Sequence, residues 1–211
     1  SGKDSMKNDF TAGGVTISVP PTVLFSAAAG IPDVRKTVVT GFQAAGDAIY
    51  VIGETLVELG GSEFLRWLGL TGGRTPQVRA EQACKRYRRL GEAIAAGLVA
   101  SCHDLSDGGL AVALVESAIG GGFGFNVALD ELGPSDRPWV LLFSETPSRF
   151  VVTVPEEGRR AFEGILGGDA RPIGRVTGEA HVGISVGGRS CVDASLERFE
   201  TAWRSGLEGY G

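Results

Sequence analysis

The sequence predicts an α+β fold, a mixed and largely antiparallel sheet with helices packed on it. Three observations carry that expectation. Short β-rich runs recur along the chain, and the last two meet at Gly187-Gly188, a two-residue hairpin signal. Other β-rich runs alternate with helical stretches, so crossovers are mixed with hairpins. No internal repeat occurs at solenoid periods, which excludes a stacked array.

Taken in order, residues 1–13 are polar and turn-like. Strands are expected at 15–19 and 22–27, meeting at the Pro20-Pro21 bend. Residues 31–36 read as a turn or short helix and 37–42 as a strand. After Gly46-Asp47, residues 48–53 (AIYVIG) read as a buried strand. Gly60-Gly61-Ser62 opens a short helix with Ser62 as its N-cap. The longest helix is expected at 77–97. Val78, Cys84, Tyr87, Leu90, Ile94 and Leu98 form its apolar face; Arg79, Gln82, Lys85, Arg86 and Arg89 cover the other side.

The second half alternates strand 99–104, helix 108–119, strand 124–129, strand 149–154 and helix 156–166. Helix 108–119 is apolar on nearly every side, which predicts burial, and Gly120-Gly121-Gly122 ends it. Pro155 sits well near a helix start. Strands 171–177, 181–186 and 189–193 precede a closing helix at 195–205.

A length of 211 residues allows one domain plus a fragment, or two small domains. The chain is 43% hydrophobic and 21% charged, which excludes a disordered polymer. Glycine reaches 33 residues without a Gly-x-y period, so collagen is excluded too. A net charge of −5 with no basic block argues against nucleic acid as a partner. Cys84, Cys102 and Cys191 form no C-x-x-C, which argues for a reducing compartment and against a disulfide framework or zinc site. The uncharged stretch 10–32 could pass for a membrane span, but Gly13-Gly14 and Pro20-Pro21 interrupt any helix there, so no membrane is expected.

The strongest chemical signal is SCHDLSDGGL, residues 101–110. It runs from a strand through an acidic and hydroxyl loop into a helix. Side chains alternate along a strand, so Cys102 and Asp104 share one face and His103 takes the other. Cys102 and His103 therefore form no nucleophile–base pair. Asp104 lies near the strand's carboxyl end. Gly108 and Gly109 let backbone N–H groups approach a ligand, and a helix N-terminus suits phosphate. A carboxylate beside phosphate suits Mg2+. The plainer reading also stands: Ser106 or Asp107 caps the helix and the glycines only permit a tight turn. In SGKDSMKND (1–9), Lys3 would meet a phosphate, Asp4 a metal and Ser5 a substrate oxygen, or the segment is a solvated terminus. Gly60-Gly61-Ser62-Glu63 reads as an anion nest or a capped helix start. His181 reads as structural. Glu145 is either a buried loop anchor or a ligand.

Together, SGKDSMKND (1–9), VPPTVLFSA (19–27), VRKTV (34–38), AGDAIYVIGET (45–55), ELGGSEF (58–64), SCHDLSDGGLAVALVESA (101–118), LFSETPSRFVV (142–152) and PIGRVT (172–177) resemble the phosphoribosylformylglycinamidine synthases of purine biosynthesis. SDGGL alone is shared with a wider superfamily that includes aminoimidazole ribonucleotide synthase, selenophosphate synthase and the hydrogenase maturation dehydratase. SGKDSM and LFSE-x-x-x-RF point to the formylglycinamidine synthase. The selenophosphate enzyme needs a reactive Cys or Sec in a Gly-rich amino-terminal loop, which this chain does not show.

The resemblance implies an aminoimidazole ribonucleotide synthase C-terminal-domain-like fold and a place in a larger cytoplasmic enzyme with two related halves. Residues 1–42 would end the second ATP-binding domain, 43–206 would form the domain that follows, and 207–211 would be a tail. The chain starts inside a motif, so it is expected to be a fragment. The family reaction is an ATP-dependent C–N ligation. ATP phosphorylates the amide oxygen of formylglycinamide ribonucleotide, and glutamine-derived ammonia displaces phosphate from the iminophosphate. The implied cofactors are ATP and Mg2+. The implied partners are a glutaminase domain or subunit and the other ATP-binding half. The family's catalytic histidine belongs to the first half, so no catalytic residue is expected here. Residue by residue, Asp104 and Asp107 match metal positions, Gly2, Lys3 and Ser106 nucleotide contacts, and Ser5, Gly108 and Gly109 substrate contacts. The sequence departs at Lys3, where single-subunit-size relatives carry an Asn metal ligand; an ammonium donates and does not ligate. In large relatives with Gly-Lys-Asp-Ser, this half holds a nucleotide that does not turn over.

Overall fold

The computed structural model describes residues 2–5, 9–18, 22–134 and 136–206, and the side chains of 2–5 and 22–24 lie outside that description. The expected tail at 207–211 lies outside it as well. The chain divides into two compact units, residues 1–35 and 36–211.

In the first unit, β1 (Gly2–Ser5) pairs antiparallel with β4 (Thr22–Phe25), and β2 (Asp9–Ala12) with β3 (Val15–Ser18). Gly13 and Gly14 join β2 to β3 with φ of 58° and 80°, the double left-handed geometry of a two-residue hairpin turn. The expectation that residues 1–13 are turn-like is corrected. Their polar composition hides two strands, whose partners supply the ladder. The Pro20-Pro21 bend lies outside the described residues.

The second unit is built on a sheet of seven described strands in the order β11-β10-β7-β9-β5-β8-β6. The strands are β5 (Ala48–Ile52), β6 (Ser101–Asp104), β7 (Gly124–Ala128), β8 (Phe150–Val154), β9 (Ala170–Thr177), β10 (His181–Val186) and β11 (Arg189–Ser195). The β7–β10 pair is parallel and the other pairings are antiparallel, so the sheet is mixed and largely antiparallel, as the sequence predicts. Gly187 and Gly188 turn β10 into β11 with φ of 59° and 70°.

Strand β5 is buried at every position, which explains its unbroken apolar run. Ile49 and Val51 face a core closed by α3 (Gly109–Gly121), α4 (Pro138–Phe143) and α6 (Leu196–Ser205) through Leu110, Leu114, Leu141 and Leu196. Ala48, Tyr50 and Ile52 face a second core under α2 (Ala80–Ala95) and α5 (Arg159–Leu166), filled by Leu90, Ala93, Phe162 and Leu166. The short helix α1 is Glu63–Trp67, and Ser62 caps it: its Oγ accepts from the Leu65 N–H at 3.3 Å.

Three expectations are corrected. Residues 37–42 are not a strand. Val39 makes one bridge to Ser101, and its carbonyl accepts from the Cys102 N–H; the chain then leaves the sheet to lie on α3. There the backbones touch through glycine: a Cβ on Gly41 would fall 2.6 Å from the Gly120 carbonyl carbon. The apolar face of α2 is also rotated. Ala83, Leu90 and Ala93 are buried, whereas Val78 is 78% exposed and Cys84 lies outside. Arg86, expected in solvent, is 10% exposed and donates to both carboxylate oxygens of Asp169 at 2.8 Å. Helix α3 is buried on one side and half-open on the other, with Val112 and Glu116 accessible. Helix α4 escapes periodicity because six residues, PWVLLF, are too few to show a period.

Leu114 is fully buried at the centre of the first core. Leu114→Ala should lower stability by roughly 2–5 kcal/mol, read as a lower denaturant midpoint at unchanged slope. An unchanged midpoint would contradict this packing.

Candidate functional site

The site grows from the end of β6. This edge strand pairs with β8 so that Cys102 lies opposite Val152 and Asp104 opposite Phe150. Alternation then separates the side chains as expected. Cys102 packs against the core under α2 and α5, and burial, reinforced by the Asp104 charge, pushes its thiol up to about 11. A thiol so hard to ionise is no nucleophile. His103 points to α3, with Nε2 3.2 Å from Glu116 Oε2 and Nδ1 3.5 Å from Asp104 Oδ1.

Asp104 is 67% exposed at the carboxyl end of the strand. Leu105 is buried and donates its N–H to the Arg149 carbonyl, which continues the β6–β8 register by one step. Ser106 and Asp107 are exposed. Gly108 and Gly109 follow with φ of 77° and 67°, a double left-handed turn that only glycine enters cheaply. A Cβ on Gly109 would fall 2.6 Å from the Ser144 carbonyl oxygen, so this glycine lets another loop's backbone approach.

The expectation that Ser106 or Asp107 caps α3 is corrected. The N-cap is Gly108, and no side chain of its own caps the helix. Glu145 from another loop takes that place, its Oε1 accepting from the Gly108 N–H at 2.8 Å and from the Glu63 N–H at 3.0 Å. One carboxylate thus ties the first turns of α1 and α3 together, where the helix dipoles favour negative charge. Glu145 is therefore a loop anchor. With capping done elsewhere, the Ser106 and Asp107 side chains have no hydrogen-bond partner among the described residues, and with Asp104 they line one cleft.

The loop carrying Glu145 is held from behind by Arg149, which is 0% exposed. Its Nε donates to the Thr146 carbonyl at 3.0 Å, one Nη to Thr55 Oγ1 at 3.1 Å, and the other to the Ser144 carbonyl. Burial pushes the guanidinium down to about 10, against the opposing pull of Glu58. Ser148 is left-handed (φ 61°) without being glycine. Tyr87 Oη meets its Oγ at 2.6 Å, and Arg86 donates to its carbonyl at 2.8 Å. Glu58 is fully buried and pairs with Arg79 at 2.6 Å. Burial raises its carboxyl, but the hydrogen bonds from Arg79 and Thr146 together with the Arg79 charge outweigh that and hold it below the ordinary value.

These loops wall an open cleft of about 370 Å³ whose polar lining includes Asp104, Ser106, Asp107, Glu145, Ser148 and Arg149. Gly2, Lys3 and Ser5 lie on β1 in the other unit, with their side chains outside the described residues. Gly61 is left-handed and Gly60 packs on the backbone of 73–75, so the Gly60–Glu63 segment is a capped start to a five-residue helix. His181 pairs with Asp193 at 2.9 Å on the sheet surface. Among the described residues no group of three or more His, Cys, Asp or Glu could hold a metal. The donor set at Asp104 therefore does not fit an all-protein cage. It fits Mg2+ held by one or two carboxylates together with phosphate oxygens and water.

Residues 44–187 match the family model for the AIR synthase related protein, C-terminal domain. The chain is 38% identical over 194 residues to phosphoribosylformylglycinamidine synthase subunit PurL of Moorella thermoacetica, covering 90% of this chain and 26% of that relative. Among solved structures, Thermotoga maritima PurL complexed with FGAR aligns with a TM-score of 0.69 at 20% identity, over 78% of this chain and 29% of that one. The hydrogenase maturation protein HypE in complex with ATP aligns at 0.55 and 18% identity, over 77% and 55%. At those identities the structural likeness speaks to the fold. This chain spans about a quarter of the length of the curated relative.

Glu58 carries a pH prediction. Its folded value lies below the ordinary 4.5. The stability it contributes is therefore complete above about pH 4.5 and is lost as pH falls through the depressed folded value. Glu58→Gln should be less stable at neutral pH, and its stability should fall less steeply between roughly pH 5 and 3. Parallel curves for the two proteins in denaturant titrations would rule out this role.

Proposed function

The chain belongs to the AIR synthase-related C-terminal domain family, and from that premise we propose that it is part of a phosphoribosylformylglycinamidine synthase. The observation that carries this reading is the 38% identity to the Moorella synthase subunit over 90% of this chain. On this reading the enzyme is an ATP-dependent C–N ligase of purine biosynthesis. ATP would phosphorylate the amide oxygen of formylglycinamide ribonucleotide, a poor leaving group as it stands, and ammonia would displace phosphate. Residues 1–42 would end an ATP-binding domain and 43–206 would form the domain that follows. The partners are a glutaminase domain or subunit that releases ammonia from glutamine and the enzyme's other ATP-binding half. The setting is cytoplasmic. Among the described residues no helix is long and apolar enough to cross a membrane.

Each residue then has a physical task. Asp104, with Asp107 beside it, would hold Mg2+. Ser106 would contact the nucleotide from the same turn; for Gly2 and Lys3 a nucleotide contact is proposed on the resemblance alone. Gly108 and Gly109 would contact the substrate through the turn they set, and for Ser5 a substrate contact is proposed on the resemblance alone. When bound, Mg2+ would supply charge neutralisation at the phosphates. Glu145 and Arg149 would keep the turn in place through their hydrogen bonds to backbone. What supports this assignment is that Asp104, Ser106 and Asp107 line one open cleft while none of them caps α3.

Asp104→Asn in the intact enzyme should reduce kcat by roughly a hundredfold or more while the melting temperature without nucleotide stays unchanged. Retained turnover with lowered stability would instead indicate a nucleotide that props domain packing and does not turn over. The 211-residue chain alone should show no synthase activity; measurable turnover with ATP, ammonia and formylglycinamide ribonucleotide would refute that.

A further inference from the structure

A second cleft, of about 330 Å³, lies on the α2 side of the sheet and is lined by Lys85, Arg86, Arg89 and Arg171 with Glu54 and Asp169. Its charges come from separate elements. Lys85, Arg86 and Arg89 recur at helical spacing along one face of α2, Arg171 comes from β9, and Asp169 from the turn before it. Asp169 is already neutralised, since both its oxygens accept from Arg86. Arg86 is fixed further by donating to the Ser148 carbonyl at 2.8 Å. That leaves Lys85, Arg89 and Arg171 against Glu54 alone. All three cations are exposed, and among the described residues none has a carboxylate partner within ion-pair distance. Arg89 is partly oriented by an N–H to the Leu166 carbonyl at 3.5 Å, which leaves its other donors free.

We propose that this cleft binds a phosphate-bearing small molecule through Lys85, Arg89 and Arg171, separately from the Asp104 turn. Three cations with no carboxylate partner among the described residues line one concavity, and an anion held there would be met by all three. Guanidinium forks match phosphate oxygens in pairs, and the ammonium adds a point charge. The volume suits a small ligand, whereas a protein partner would need a broad, flatter surface. The cleft also lies in a row with the Asp104 cleft. A narrow gap between them shares Pro147 and Ser148 with one and Glu54, Gln82 and Arg86 with the other. This inference does not rest on the proposed activity.

The test is calorimetric titration of the full chain with inorganic diphosphate, without magnesium. Saturable binding is expected, weakening with salt. K85Q/R89Q/R171Q should weaken it at least tenfold at an unchanged melting temperature, while Asp104→Asn leaves it intact. Should the triple variant fold poorly, Arg171→Gln and Lys85→Gln singly should each weaken binding about threefold. ATP and tripolyphosphate then separate the sources: equal affinities assign free phosphates, and tighter ATP assigns a nucleotide. Absence of saturable binding, equal affinity in the charge variants, or loss of binding in Asp104→Asn would overturn the proposal.

Discussion

The guanidinium of Arg149 is the interaction on which the candidate site depends. Removing a cation from water costs several kcal/mol, and it persists only if its donors are met. Here three partners, the Ser144 and Thr146 carbonyls and Thr55 Oγ1, meet it. Hydrogen bonds from a charged donor are worth about 1.5–3 kcal/mol each, enough to offset that cost. The result is a turn at 144–149 whose shape is set from inside. Glu145 projects from this turn, and one of its two carboxylate oxygens, Oε1, joins the starts of two helices.

The sheet supplies the rest of the placement. Strand β8 begins where Arg149 ends its turn, and β6 pairs with it so that Asp104 lies beside Phe150. The two loops that wall the cleft are therefore the extensions of one antiparallel pair. Burial of β5 and β8 under helices on both faces makes that pair rigid. Side chains placed at the ends of such strands are held more precisely than any on a free loop.

How far the residues announced this differs by level. Periodicity revealed the sheet strands from 48 onward, the long helices and the Gly187-Gly188 turn, because buried runs and glycine pairs are local signals. It failed where tertiary contact overrides local pattern. Val39 to Phe42 look like a strand but follow a glycine groove on α3, and residues 2–5 and 9–12 look like loop but find strand partners. Arg79, which precedes α2, and Arg86 within it followed the same rule: both read as solvent-facing because their partners, Glu58 and Asp169, lie 21 and 83 residues away. In the site, Asp104 and Ser106 stood out as an acidic and hydroxyl turn before a glycine pair. Arg149 stood out only as the Arg of LFSE-x-x-x-RF, with no role attached, since its partners are mostly backbone carbonyls, which no residue type advertises. Ser106 and Asp107 have the chemistry of helix caps, and only the carboxylate reaching in from residue 145 frees them for another use.

The Asp104–Gly109 turn, braced by Glu145 and Arg149, is proposed to receive a nucleotide with its magnesium. Hydrogen–deuterium exchange on the intact enzyme, with and without ATP and Mg2+, addresses it at the residues concerned. Slower exchange is expected on ligand addition across 104–109 and in the adjoining 145–149 turn. Unchanged exchange in both segments at saturating nucleotide, with protection confined to other parts of the enzyme, would contradict it.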